Sequence, residues 1–290
     1  MISVLIPARD EATAIAGVVR RAQQALAGEE HEVVVVDDGS RDGTGDRARE
    51  AGARVLPLSG EGYGAAVKAG ARAARGTLVV LLDGDGSYPE VAIPALLAEV
   101  RGGARQAIGA RPAFSRAESL PRSVLKAMFR SAVRALGDLE VPDLNSGLRV
   151  VYRADVLRLE SMLPDRFSLS TTLTLALSAE GVAPAFVAID YAPRVGRSKW
   201  RPLRDTWRMA RTVARGIVWL RRARVARASA RGGAAADAGS GPEPSAAHAG
   251  SGPSACTARH WFQSGTAGVD TSSSSSTSGA VLPVADPAAQ

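Results

Sequence analysis

The sequence predicts an α/β protein with a mostly parallel central sheet flanked by helices. Three observations predict it. Short apolar runs alternate with helix-period segments through the first hundred residues. The run 33–36 is four consecutive valines, continuous rather than alternating in its apolar character. Acidic residues stand where two of the runs end, at Asp37-Asp38 and Asp83. Strand–helix alternation of this kind argues for parallel pairing, and continuous apolar strands suit a sheet covered on both faces.

The elements follow in order. Residues 2–7 read as a strand, and 12–27 as a helix with Ile15, Val18, Val19, Ala22 and Leu26 on one side. A buried strand spans 32–38, a helix 43–51, a strand 53–58 and a helix 63–75. A strand over 77–82 and a helix over 89–101 complete the first half. The second half is less regular. A basic amphipathic segment (120–137) leads to a loop and strand within 141–153, then a helix at 168–180 and a strand at 185–191. The last element is a helix over 202–225. Leu203, Trp207, Ala210, Ala214 and Ile217 form one stripe, and Arg204, Arg208, Arg211 and Arg215 the neighbouring one.

Composition changes near residue 228, after which small and polar residues dominate without a periodic apolar face. Such a segment cannot bury enough surface to offset its ordering entropy. The expected organisation is one folded domain, 1–225, and a disordered low-complexity tail, 226–290. The folded part is long enough for a substantial core.

Residue counts exclude whole classes of chemistry. Cys256 is the only cysteine and lies in the expected tail, so no disulfide within the chain and no cysteine metal site is available. Of His31, His248 and His260, only His31 falls in the folded part, which excludes a histidine-ligated metal there. Acids, bases and metal ligands must then be carboxylates, or come from the substrate. The opening run meets Arg9, Asp10 and Glu11 after seven residues, and no window of eighteen apolar residues occurs. Neither a signal peptide nor a membrane-spanning helix is expected. The net charge of +7 is concentrated: Lys199 and ten arginines between 201 and 231 face one acid, Asp205. That asymmetry points to an anionic partner.

Two acidic stretches carry the chemistry. Asp37 and Asp38 end a buried strand, where open α/β sheets place their ligands. They suit recognition of a nucleoside base or ribose hydroxyl; the alternative is a capped strand-to-helix turn. In "DGDGS" (83–87), residues i and i+2 of an extended segment point the same way. Asp83 and Asp85 can then share one hard divalent cation, Mg²⁺ or Mn²⁺, or stand as solvated acids on a glycine turn. "GEGYG" (60–64) lacks the spacing of a phosphate loop. Gly62 and Gly64 allow either a tight helix start beside a nucleotide or close helix packing. Arg194, Arg197, Ser198 and Lys199 cluster after a strand, and Arg111, Arg122 and Lys126 form a second basic set. Both suit phosphate groups or a solvated surface.

Together "VLIPARDEA", "VVVDDGSRDGT", "DGDGSYP", "DLNSGLR", "RFSLSTTLTLA" and "RVGRSK" resemble the family 2 glycosyltransferases, in their dolichyl- or polyprenyl-phosphate sugar transferase branch, over residues 2–210. The resemblance implies a GT-A fold, a nucleotide-sugar donor (GDP- or UDP-hexose) and inverting transfer to a polyprenyl phosphate. Nucleotide contacts would fall to Pro7, Ala8, Glu11, Asp37 and Asp38, with Asp83 and Asp85 gripping metal and diphosphate and Ser87 as a third metal ligand. Arg111, Arg122, Arg194, Ser198 and Lys199 would meet the acceptor phosphate, Arg194 also serving catalysis, and Asp143 would open a segment beside the reaction centre. "ARDE" replaces the family's usual Asn before Glu but leaves Glu11 in place. Many relatives continue into transmembrane helices after the R-x-G-x-S-K motif, whereas this chain continues into the arginine-rich helix. The expectation is a cytoplasmic enzyme peripherally associated with the membrane, meeting its surface through 202–225, unless that helix packs on the protein's own fold.

A polyprenyl phosphate oxygen is anionic near neutral pH and needs no strong base, so positioning and electrostatics suffice. A sugar hydroxyl on a growing glycan would need one, and Asp143 is the candidate. The Q-x-x-R-W motif of processive synthases is absent. A basic nucleic-acid-binding module is the rival from another class, but strand-end acids would repel nucleic acid from the cleft, and no such partner is expected.

Overall fold

The computed structural model describes residues 1–112, 120–137, 139–166, 168–192 and 202–238, with side chains at 120–126, 202–205 and 227–238 outside the description. Seven strands, β1 (Ile2–Ala8), β2 (His31–Asp38), β3 (Arg54–Leu58), β4 (Leu78–Leu81), β5 (Gln106–Ala110), β6 (Arg149–Tyr152) and β7 (Ala185–Ala188), form one sheet in the order β3-β2-β1-β4-β6-β5-β7. β1 pairs in parallel with β2 and β4, β2 with β3, and β5 with β7, while β6 runs antiparallel to both β4 and β5. The sheet is mostly parallel, as expected.

Helices cover both faces. They are α1 (Ile15–Ala25), α2 (Thr44–Glu50), α3 (Tyr63–Ala73), α4 (Ile93–Arg101), α5 (Leu120–Gly137), α6 (Arg153–Arg158), α7 (Leu169–Ala179) and α8 (Pro202–Ala238). Alternate residues of the central strands feed two separate cores, which is why those strands are apolar throughout. Val4, Ile6, Val33, Val35, Val80 and Leu82 pack with Ile15, Val18 and Val19 of α1 and Leu96 of α4. Leu5, Val34, Val36, Val79 and Leu81 face the opposite side, with Val67 of α3 and Leu169 and Leu173 of α7.

α7 is buried along nearly its whole length, including three threonines. Their hydroxyls are used: Thr172 donates to the Ser168 carbonyl (2.9 Å), Thr174 to Ser170 (3.0 Å) and Thr171 to Leu144 (3.1 Å).

The second half corrects the sequence reading in several places. β5 and α6 were not anticipated, β6 occupies only the end of the 141–153 segment, and α8 continues past the expected boundary at 225 to Ala238. The buried face of α8 also differs. Val213, Ile217 and Leu220 enter a third cluster with Leu175 of α7 and Val133 of α5, whereas Trp207 is 72% exposed and Ala214 lies outside. The reason is a close crossing: a Cβ at Gly216 would lie within van der Waals overlap of the Leu175 side chain, so the helix turns its glycine face toward α7. Each of the three large apolar side chains so buried contributes about 1.5–3 kcal/mol.

Candidate active site

The carboxyl ends of β1, β2 and β4 lie side by side, and the loops that leave them are tied together. In register, Pro7 stands opposite Val36 and Ala8 opposite Asp37. Beyond β1 the chain turns at Asp10, whose φ of 49° is the one left-handed value among the described non-glycine residues. Local hydrogen bonds hold that strained turn. Asp10 N–H donates to the Ser40 hydroxyl (3.0 Å), and the Asp10 carboxylate accepts from Arg41 N–H (3.0 Å). Glu11 N–H donates to the Thr44 hydroxyl oxygen (2.8 Å), and Ala12 N–H to the Asp42 carboxylate (3.0 Å). Burial acts to raise the Asp42 carboxyl, but the Thr44 hydroxyl and the N–H groups of Ala12 and Thr44 outweigh it and hold it below the usual carboxylate value.

The adjacent aspartates of β2 divide their work. Asp37 Oδ1 accepts from Ser40 N–H (2.9 Å), closing the turn into α2. Asp38, only 5% exposed, reaches across to the loop before α3, accepting from Glu61 N–H (2.6 Å) and Gly62 N–H (3.0 Å). Gly39, at φ 76°, permits this approach, since a Cβ there would sit 3.2 Å from Gly60 N. Asp38 thus places the 60–62 loop, while Asp37 is half-buried beside the start of α2. In "GEGYG", Gly62 (φ 113°) caps the start of α3 and both glycines pack closely on the 164–165 backbone: a Cβ at Gly62 would lie 2.7 Å from the Asp165 carbonyl oxygen, and one at Gly64 would overlap the Pro164 carbonyl.

Asp83 and Asp85 stand just past β4, but not on an extended segment. Gly84 and Asp85 form a turn, so the period-two argument for convergent carboxylates is corrected. Asp83 is half-buried against Gly147, and Asp85 is buried. Ser87 donates both its N–H (3.0 Å) and its hydroxyl (2.5 Å) to Asp85 Oδ1. Here Ser87 is a hydrogen-bond partner of Asp85.

Arg111 and Asp143, separated by 32 positions in the chain, form a buried bidentate ion pair, Nε to Oδ2 at 2.6 Å and Nη2 to Oδ1 at 2.9 Å. Asn145 N–H adds a further bond to Asp143 Oδ1 (3.1 Å). The guanidinium also packs on two rings, 5.2 Å from the Tyr191 centroid and 6.0 Å from that of Tyr88, and these rings meet edge-on at 5.2 Å. Burial, offset in part by Arg111, pushes the Tyr88 phenol well above its usual value, so it stays protonated. Ala192 N–H donates to the Ser87 carbonyl (3.1 Å), tying the strand-end segment after β7 to the Asp85 turn. A cavity of about 560 Å³ opens between α1 and this turn, lined in part by Arg21, Ser87, Tyr88, Glu90 and Tyr191.

The structure therefore gathers Pro7, Ala8, Glu11, Asp37, Asp38, Asp83, Asp85, Ser87, Arg111 and Asp143 at the carboxyl-end rim. Arg122 lies on the α5 backbone with its side chain outside the description, and Arg194, Ser198 and Lys199 lie outside the described residues. No individual role was expected for Tyr63, Tyr88, Gly147, Arg149 or Tyr191. Gly147 and Arg149 nevertheless carried a signal, since both lie in the "DLNSGLR" segment that Asp143 opens.

The sequence pattern of glycosyl transferase family 2 matches residues 3–158. The chain is 30% identical over 210 residues to "Glycosyltransferase AglJ" of Haloferax volcanii, covering 70% of this chain and 68% of that protein. It is 33% identical over 171 residues to "Dolichyl-phosphate hexose transferase" of the same organism, covering 58% of this chain and 74% of that one. Among solved structures, glucosyl-3-phosphoglycerate synthase from Mycobacterium tuberculosis, in complex with Mn²⁺, UDP-glucose and phosphoglyceric acid, superposes with a TM-score of 0.58. That match covers 76% of this chain and 79% of the other at 22% identity, a likeness of the GT-A fold. The chain is a glycosyltransferase and belongs to glycosyl transferase family 2.

Proposed function

We propose that the enzyme moves a hexose from a nucleotide-diphosphate sugar to a polyprenyl phosphate at a membrane surface, with Mg²⁺ or Mn²⁺ at Asp83 and Asp85. The observation that carries the acceptor class is the state of Asp143. The one carboxylate that sequence reasoning offered as a base for a hydroxyl acceptor is locked in a buried bidentate pair with Arg111. His31 begins β2, at the opposite end of that strand from Asp37 and Asp38. A phosphate acceptor needs no base, because its oxygen is already anionic. The relative named for dolichyl-phosphate supports the same class.

The donor set fits a hard cation shared with substrate. Among the described residues no group of three or more His, Cys, Asp or Glu side chains could cage a metal. Two aspartates at the strand end suit an ion whose other ligands are diphosphate oxygens and water. When bound, it would neutralise charge on the leaving diphosphate. In transfer, an acceptor phosphate oxygen forms a bond to the anomeric carbon. The bond from that carbon to the diphosphate oxygen breaks with its electron pair, inverting the configuration. Pro7, Ala8, Glu11, Asp37 and Asp38 shape the nucleotide end of the rim. Arg122, Arg194, Ser198 and Lys199 are the proposed ligands of the acceptor phosphate, Arg194 also serving catalysis. Arg111, packed on Tyr88 and Tyr191 and paired with Asp143, keeps that carboxylate from acting as a base.

The acceptor is met from the side. No helix among the described residues is long and apolar enough to cross a membrane. α8 nevertheless exposes Trp207, Val218 and Val225 beside Arg211, Arg222 and Arg224, a face suited to an anionic lipid surface. The test is a donor panel (UDP-glucose, GDP-mannose and related sugars) offered with a short polyprenyl phosphate or with 3-phosphoglycerate, with and without Mn²⁺ or Mg²⁺. Lipid-linked sugar formed only with the polyprenyl phosphate is the expected result; its absence across the panel sinks the reading.

A further inference from the structure

A column of buried polar side chains lies beneath Asp83. Arg149 has no exposed surface, and its side chain enters the face of the sheet otherwise filled by Leu81, Val151, Leu169 and Leu173. A guanidinium in such surroundings is costly unless its donors are used and opposite charge is near. Nη1 donates to the Ser170 carbonyl and the Thr174 hydroxyl, both at 2.9 Å, and Nη2 to the Ser146 carbonyl at 2.7 Å. Burial lowers its pKa, and the neighbouring Tyr63, Asp143, Tyr88 and Asp83 act against that shift.

The contact with Ser146 has a geometric consequence. The Ser146 carbonyl and the Gly147 N–H belong to one planar peptide unit. Its oxygen is held by Arg149, and its N–H donates to the Tyr88 hydroxyl at 2.7 Å. A peptide held at both ends cannot rotate, so the Gly147 Cα is fixed. That atom forms the wall against which the Asp83 carboxylate rests: a Cβ there would be 2.5 Å from Oδ2 and 2.7 Å from Cγ. Tyr63, the first residue of α3, is kept protonated by burial first and by the Asp83 charge second.

We propose that Arg149, acting through the Ser146–Gly147 peptide whose other end Tyr88 holds, is a positioning residue that keeps the Asp83 carboxylate in the orientation that receives a metal–diphosphate. This rests on the reading of Asp83 as a metal–diphosphate ligand. Mutating the outer partners of a metal ligand typically lowers metal affinity or activity by about 10–100-fold. A merely structural role for the column would instead loosen the fold and all ligand binding together.

Tyr88→Phe removes the hydroxyl that holds the Gly147 N–H, and Arg149→Lys keeps the charge but loses the fork. Both are compared with wild type by thermal unfolding and by titration with MnCl₂ and with UDP or GDP, each nucleotide measured with and without Mn²⁺. The expected result for Tyr88→Phe is unchanged metal-free nucleotide binding and a Mn²⁺ dissociation constant raised about tenfold. Arg149→Lys shows the same split if it folds; if it does not, Tyr88→Phe decides alone. A folded Tyr88→Phe with the wild-type Mn²⁺ constant, or with equal losses in both titrations, overturns the inference while leaving the metal reading intact. Failure of Mn²⁺ to affect nucleotide binding in wild type removes the metal reading itself, and the inference with it.

Discussion

Adding one methyl group at Gly147 tests the placement of Asp83 directly. The backbone there is outside the left-handed region, so alanine is sterically allowed by the main chain itself. The three atoms nearest the new Cβ all belong to Asp83, at 2.5 Å (Oδ2), 2.7 Å (Cγ) and 2.7 Å (Oδ1). An ordinary carbon–oxygen contact is about 3.3 Å, so the carboxylate must retreat by roughly 0.8 Å. Misplacement on the order of 1 Å at a reacting centre costs about 10²-fold in rate, or about 2.7 kcal/mol. Asp83 is half-buried at the rim and can swing outward, so the fold should survive. The expected outcome for Gly147→Ala is a thermal midpoint close to wild type with turnover reduced about 10²-fold and a raised Mn²⁺ requirement. Wild-type turnover with an unchanged Mn²⁺ requirement in the folded variant would refute the claim that Gly147 sets the position of Asp83.

Three further outcomes are expected. Asp85→Asn should lower turnover by at least about 10²-fold with an unchanged unfolding curve, measured by lipid-linked product; retained metal-stimulated activity would remove its assigned role. Asp42 has a folded pKa below the usual aspartate value, so its stabilisation is present above that usual value and is lost as pH falls through the folded one. Denaturant unfolding of Asp42→Asn should therefore show a deficit at pH 7 that narrows by pH 3, and a constant gap would contradict the hydrogen-bond account. Trp207→Ala should weaken co-sedimentation with phosphatidylglycerol vesicles about tenfold, with binding to neutral vesicles weak in both proteins; equal partitioning would place the membrane contact elsewhere.

The parts of the fold that could be read in advance are those whose residues report their own surroundings. β1 and β2 are apolar at every central position because both faces are covered, and α1 repeats its apolar residues at helical spacing against one core. β5 escaped notice because "QAIGA" is short and holds only one large apolar residue, Ile108. The face of α8 was misjudged for a tertiary reason, the crossing of Gly216 over Leu175. The candidate site divides the same way. Strand-end acids announce a rim, since the sheet places it there. That Asp38 reaches the 60–62 loop, or that Arg111 meets Asp143, depends on partners more than twenty positions away, and no local pattern encodes such a pairing.

The reversed direction of β6 has a consequence for how such a protein can change. β5 leaves the sheet at the carboxyl-end rim, and antiparallel β6 re-enters it at the same rim, with Ile108 opposite Arg149 and Gly109 N–H bonded to the Leu148 carbonyl at 3.0 Å. Everything between, residues 111–148, is an excursion whose two ends meet. Replacing it by the corresponding stretch of a relative should alter which acceptor is used while nucleotide affinity stays within a fewfold; loss of nucleotide binding would show the two to be inseparable. A closed excursion of this kind can lengthen, shorten or change charge without shifting a single strand, so one sheet can serve as the chassis for many acceptors.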